Sequence, residues 1–276
     1  MKFIKSNFSN KRLSISLFSF LIALLCNLTS HDINASNISP CYNEDWTECA
    51  NENQKQSWIE YAKDWKFIKQ KGDIALYKRV IKNSGVIQVK AEKIIHAPLE
   101  VIEQIIRDIP AYPQLMHNCL EGRLIKAFTD EDMVILNVTG MPWPLQPRDV
   151  IVRTNVIKNW DVGRIEIILK GLHSPESEQW VPPIDGHTRM YELTAYFIGH
   201  ILDRQKLKCI YIIHADPSGI PDFAINYLIA NYPYYTLLNL EKMTKLEKYI
   251  NLGKQSKYLQ NIESFVALKK KSNNFN

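Results

Sequence analysis

The chain of 276 residues has no C-x-x-C and no repeated Cys/His pair, so the spacings that build a structural zinc site are missing. It also lacks Gly-x-Ser-x-Gly, a phosphate-binding glycine loop and His-Glu-x-x-His, which leaves three common kinds of catalytic site without a motif. No internal repeat, low-complexity linker or second domain boundary interrupts it. Nothing in it calls for a cofactor or a metal. A basic stripe able to offset nucleic-acid phosphates is absent as well, which excludes that partner. Lys269, Lys270 and Lys271 near the C-terminus are the exception. They read as a solvated basic tail over 256–276, with contact to anionic lipid headgroups as the alternative.

What is present begins with an address. Lys2, Lys5, Lys11 and Arg12 precede the apolar run "LSISLFSFLIALLCNL", and small residues follow at Ala35 and Ser36. Residues 1–35 are therefore expected to be a cleaved signal peptide of an exported protein, periplasmic or secreted. The run is short for spanning about 30 Å of hydrocarbon, so an uncleaved anchor is the lesser alternative. A lipoprotein signal at Cys26 is disfavoured by Leu25, where a small residue is wanted. Losing Lys2, Lys5, Lys11, Arg12 and Asp32 lowers the formal charge from +5 to +2. In an oxidising compartment Cys41 and Cys49, in the polar segment 36–55, are candidates for a disulfide. Cys119 and Cys209 sit in apolar, strand-like surroundings and read as buried small hydrophobes.

The chain is 46% hydrophobic, as ordinary globular cores require, and the body is expected over 56–255. Trp58, Tyr61, Ala62, Trp65 and Ile68 recur at three and four, which predicts an amphipathic helix ended by Gly72. A hairpin follows around Asn83-Ser84-Gly85, then a short helix opened by Pro98 that directs Leu99, Ile102, Ile105 and Ile106 inward. Strands are predicted at 119–128, 133–139, 149–157, 164–170, 189–198 and 208–214, antiparallel because no helical crossovers separate them. Alternation gives each strand one wet and one dry face: Val150, Val152, Thr154 and Val156; Ile165, Ile167 and Leu169; Tyr191, Leu193, Ala195 and Phe197. A helix apolar around most of its girth starts at Pro221, with Asp216 or Ser218 available to cap it and Pro233 placed to interrupt it. Pattern alone yields one α+β domain, a long curved antiparallel sheet with two major helices. It leaves open whether the apolar helix fills a solid core or borders a hollow.

"QPRDVIVRT", Gly163, His173 and Arg189, then "HADPSGIPDFAINYLIANYPYYTLL", resemble the second half of a START (StAR-related lipid-transfer) domain. "IIHAPLEVIEQIIRDIPAYPQLMHNCLEGRLI" is similar to that family's helix, turn and strand, with Leu115 where the family usually has Trp. The resemblance covers roughly residues 58–240. It implies a helix-grip fold, with a curved sheet wrapped around the C-terminal helix and an apolar tunnel between them, and it favours the hollow. It further implies non-catalytic binding, and transfer, of a lipid or other hydrophobic small molecule by a monomer that touches membrane surfaces transiently. The tunnel-lining residues expected on this basis are Asn137 as a polar guide, Val152, Thr154, Ile167, Leu193, Ala195, Phe197, Tyr211, Phe223, Ala224, Tyr227 and Leu228. Sterol-binding members carry an acid–arginine pair across two central strands. Here Thr154 stands at the arginine position and Asn137 offers no acid, so an acyl chain or less polar lipid fits at least as well. Arg148 and Asp149 match the family's Arg-Asp and are expected to form a structural ion pair, with ligand contact as the lesser alternative.

Two alternatives remain. Polyketide cyclases and aromatases share the fold, and chemistry would then come from His117 with Cys119, or from His173, His187 or His214. A nucleophilic cysteine needs a base within reach and a third group orienting that base, and no carboxylate is marked for that role. His200 also reads as a loop or strand-end residue. The third reading is a secreted interaction module with a filled core.

Overall fold

The computed structural model describes residues 63–82 and 84–273. Ten strands form one sheet: β1 Lys66–Lys71, β2 Ile74–Val80, β3 Ile87–Ile95, β4 Cys119–Ala127, β5 Asp132–Thr139, β6 Arg148–Asn159, β7 Arg164–Gly171, β8 Thr188–Arg189, β9 Glu192–Asp203 and β10 Lys206–Asp216. Their spatial order is β1-β2-β3-β10-β9-β7-β6-β5-β4, antiparallel throughout, except that β8 adds to β6 in parallel. The two hairpin runs β1–β3 and β4–β10 therefore meet where β3 pairs with β10, as Val89 opposite Ile213 shows. Between β3 and β4 come α1 Leu99–Arg107, a 3-10 turn Ile109–Ala111 and α2 Tyr112–Leu115. After β10 come α4 Asp222–Ile229, α5 Tyr232–Met243, α6 Glu247–Gly253 and α7 Leu259–Asn273, while α3 Glu176–Trp180 lies in the β7–β8 connection.

The helix expected from Trp58 is not what residues 66–71 form; they are β1, and residues up to 62 lie outside the description. Lys71 pairs with Ile74 across the two-residue loop Gly72-Asp73. Gly72 has φ +60°, a conformation that suits a tight hairpin and that glycine reaches without a Cβ clash. Strand pairing thus overrides a helical spacing that rested on few residues. The expected signal peptide and the candidate Cys41–Cys49 disulfide also lie outside the described residues. Cys119 and Cys209 are free and buried.

One apolar core lies inside the curl of the sheet. It joins Ile135, Val150, Val152, Ala195 and Ile213 to Leu99, Ile102 and Ile105 of α1 and to Leu237 and Leu240 of α5. The C-terminal segment, expected as a solvated tail, is instead helix α7, with Ile262 and Val266 buried in the same core. Phe265 packs so closely on Gly163 (φ +60°) that a Cβ there would fall 2.3 Å from its ring.

A second correction concerns the outer face. At β5 and β6 it is dry too: Val134, Leu136, Val138 and Ile151 pack with Leu172 beneath Trp180, Val181 and Ile184 of the 172–187 segment. Apolar runs read on both faces of a strand signal such a cover. The anticipated pair of Arg148 with Asp149 does not form, because neighbours in a strand point to opposite faces. Asp149 faces outward and accepts from Arg189 Nε at 2.5 Å. Arg189 also donates to the carbonyls of Val181 (3.2 Å) and Pro182 (3.2 Å), fastening the cover to β6. Both side chains of the pair are buried, so Arg189→Ala leaves a carboxylate without its counter-ion. It is expected to lower unfolding free energy by about 3–5 kcal/mol in urea titration; a change under about 1 kcal/mol would show the cover to be ornamental.

Candidate functional site

Alternate residues of the inner face enclose a hollow. Ile135, Asn137 and Thr139 of β5, Arg148, Val150 and Val152 of β6, and Tyr211, Ile213 and Ala215 of β10 all reach it at the spacing of two that a strand dictates. Leu169, Met190, Leu193 and Ala195 continue the wall. Opposite stand Ile225, Leu228 and Ile229 of α4 with Tyr232 of α5, one face at helical spacing. Tyr112, Met116 and His117 close one side, and Asn118, Gly140 to Pro142, Pro217 and Asn231 complete the lining. The hollow has a volume of about 160 Å³ and is partly open to solvent. An apolar cavity of about 150 Å³ admits benzene or xenon, whereas sites for drug-sized ligands run to about 300–1,000 Å³. This conformation has room for a ring or a short length of chain; a longer one requires α4 to shift.

The apolar helix anticipated from Pro221 is in fact two, α4 and α5, divided where Pro233 enters the first turn of the second. Pro221 is the N-cap residue, and neither Asp216 nor Ser218 caps the helix. Asp216 Oδ1 instead accepts from the Ser218 amide at 2.8 Å, within a loop whose Ser218 and Gly219 have φ of 55° and 70°. Asn226 fixes the rotation of α4. Its Oδ1 accepts from the Ile87 amide (2.9 Å), and its Nδ2 donates to the Gly85 carbonyl (3.2 Å). Gly85 permits this approach, since a Cβ there would lie 1.6 Å from Asp222 Oδ2.

Of the residues expected on the wall, Asn137, Val152, Leu193, Ala195, Tyr211 and Leu228 lie on it. Thr154 does not; it is buried, and its hydroxyl donates to the Met133 carbonyl at 3.4 Å. Ile167 and Phe197 belong to the core but do not reach the hollow. On α4 the face was misjudged: Ala224 is off the wall, and Phe223 and Tyr227 are 79% and 62% exposed. A helix apolar all round gives no phase from periodicity; Asn226, its polar interruption, was the available signal. Arg148 and Val150, and Ile213 and Ala215, follow from extending Val152 and Tyr211 by steps of two. Met116 to Asn118 and the 140–142 loop carried no such signal, because tertiary packing alone brings them there.

The electrostatics are sparse. The lining includes no Asp, Glu or Lys. Asn137 Nδ2 donates to Cys119 Sγ at 3.4 Å and to Met116 Sδ at 3.6 Å, both weak acceptors, while its Oδ1 accepts from Thr139 Oγ1 at 3.2 Å. His117 stacks on Tyr235, ring centroids 4.5 Å apart, and burial pulls its pKa below the usual imidazole value. Burial pushes the Cys119 thiol up to about 11, outweighing the Asn137 hydrogen bond, and its Sγ donates to the Glu121 carbonyl at 3.3 Å. No hydrogen bond joins His117 to Cys119 among the described residues. His173, His187, His200 and His214 do not line the hollow. Arg148, 5% exposed, donates from Nε to the Pro217 carbonyl (3.1 Å), from Nη1 to Gln146 (2.5 Å) and from Nη2 to Ser218 (3.2 Å).

The raised Cys119 pKa leaves about one thiol in 300 ionised at pH 8.5, against about half for an unperturbed cysteine. Alkylation of the folded protein at that pH is therefore expected to run at least about a hundredfold slower than in denaturant. Equal rates would restore Cys119 as a candidate nucleophile.

No family model matches the chain. An uncharacterized protein of Pseudomonas aeruginosa is 24% identical over 180 residues, which span 65% of this chain and 86% of that one. Among solved structures, a STAR-related lipid transfer protein fragment from Xanthomonas axonopodis superposes with a TM-score of 0.59 at 23% identity, covering 66% of this chain and 99% of the fragment. Human STARD10 gives 0.62 at 15% identity, covering 78% and 87%. The curved antiparallel sheet gripping C-terminal helices in this chain is the α+β helix-grip fold of START domains.

Proposed function

We propose that the chain binds the apolar part of a lipid or similar small molecule in the hollow between α4 and the inner sheet face, without chemical turnover, and carries it to or from membranes. The observation that carries this reading is an unfilled, nearly uncharged space where a solid core would have side chains. At about 24 cal/mol per Å³, the figure for a closed void, an unfilled space of this size costs at most about 4 kcal/mol. About five buried methylenes, at about 0.8 kcal/mol each, offset that. A filled interaction module has no reason to carry such a cost. A cyclase-like enzyme finds no ionised nucleophile and no paired base on the wall.

Two further features support the proposal. Both elements that rim the hollow carry exposed aromatics, Trp143 at 93% exposure on the 140–147 loop and Phe223 and Tyr227 on α4. Trp and Tyr favour the interface of a bilayer, so these residues suit transient docking of a monomer there. The basic start and the apolar run from Leu13 to Leu28 support export to the periplasm or beyond.

The test uses protein recovered from the exported fraction, whose intact mass shows whether residues 1–35 are gone. Ala195→Trp, which fills the hollow, is expected to weaken binding of a fluorescent single-chain amphiphile by at least about tenfold, with the unfolding midpoint within about 5 °C of the parent. Ala224→Trp, off the wall, is expected to leave affinity within about threefold. Unchanged binding in Ala195→Trp would remove the hollow as the site.

A further inference from the structure

Among the residues around the hollow, Arg148 stands out. The residue is 5% exposed, yet no carboxylate among the described residues pairs with it. Asp149, its neighbour, is engaged by Arg189 on the opposite face of β6. Three of its five N–H groups are held by the carbonyls of Gln146, Pro217 and Ser218, which leaves one on each terminal nitrogen with no protein acceptor among the described residues. With no Asp, Glu or Lys on the wall, and with burial keeping His117 neutral near pH 7, the guanidinium is the one permanent charge there among the described residues.

We infer that Arg148 is an anion site, and that the ligand is a single-chain amphiphile ending in an oxyanion, a carboxylate or a phosphate monoester. This rests on the reading of the hollow as a hydrocarbon site. A buried charge without a counter-ion is unfavourable, and an incoming oxyanion removes that penalty where a neutral headgroup does not. The two remaining N–H groups sit on separate terminal nitrogens, the arrangement that receives two oxygens of one anion. The three carbonyls fix the fork beforehand, so little side-chain freedom is lost on binding. Position agrees with chemistry. Arg148 opens β6 opposite Thr139, beside the 140–147 loop and the Pro217–Ser218 turn, whereas Ile135, Val152 and Leu169 lie further along the strands. The headgroup would stay near the loops and the chain would run between the sheet and α4. The modest volume suits one chain better than two.

The test displaces an apolar reporter dye from the mature protein with decanoate, decyl phosphate, decanol and inorganic phosphate. The parent is expected to bind decanoate or decyl phosphate at least about tenfold more tightly than decanol, in line with a hydrogen bond to a charged group, and to ignore inorganic phosphate. Which of the two anions wins names the headgroup. Arg148→Gln is expected to erase the preference while keeping decanol affinity within about threefold, which also shows that the variant is folded. Arg148→Lys is expected to retain part of the preference. Equal binding of decanol and both anions by the parent overturns the anion site and leaves the hydrocarbon site standing. Equal weakening of all ligands in Arg148→Gln overturns it too, by making Arg148 a loop fastener only. If no probe displaces the dye, the hollow itself is not a ligand site and the inference falls with it.

Discussion

Helix α4 is held at a fixed distance from the sheet, and the character of the interior follows from that spacing. Asn226 ties its middle to Gly85 and Ile87 of the β2–β3 hairpin, and the missing side chain at Gly85 lets Asp222 approach. Beyond Ile229 the helix cannot simply continue, because Pro233 begins a new one. Across from it the sheet offers Ala195 and Ala215 where larger side chains would meet α4. Small residues opposite a propped helix leave a space that neither surface fills. The stability given up there is a large share of the 5–15 kcal/mol that typical domains possess, so the rest of the core must be well packed.

It is. The helices α1, α5, α6 and α7 bury their apolar sides in one continuous cluster with the inner face, and a second cluster thickens the sheet behind β5 and β6. The wall carrying Asn137, Arg148 and Val150 is therefore backed by packed side chains and by the Arg189–Asp149 pair, and is the rigid half of the site. The other half is joined through the 217–221 turn, with two left-handed residues and two carbonyls, those of Pro217 and Ser218, resting on Arg148. A chain entering the hollow would displace α4 before it displaced the sheet.

Most of the sheet was legible in the sequence because alternation reports a physical contrast between two faces. The alternation failed at β5 and β6, where Leu136 and Ile151 are buried outward beneath the 172–187 segment, a cover whose position no local pattern announces. Residues 66–71 were misread because their helical spacing shared too few residues with a real amphipathic face, and the Gly72 turn decided for a hairpin. Six of the twelve residues expected on the wall line it, five of them on strands, and Arg148 could have been added by one further step from Val150. The face of α4 was not legible, since Phe223 and Ile225 are equally apolar and only Asn226's bond to a distant hairpin separates them. The break at Pro233 was legible because proline's lost N–H acts locally.

The spacing of α4 from the sheet can be measured without knowing the ligand. Crystals of the protein pressurised with xenon should show an ordered xenon atom among Ile135, Leu169, Ala195 and Ile225, as a mostly apolar hollow of this volume is expected to hold. Continuous side-chain density across that gap, with no xenon bound, would contradict the account.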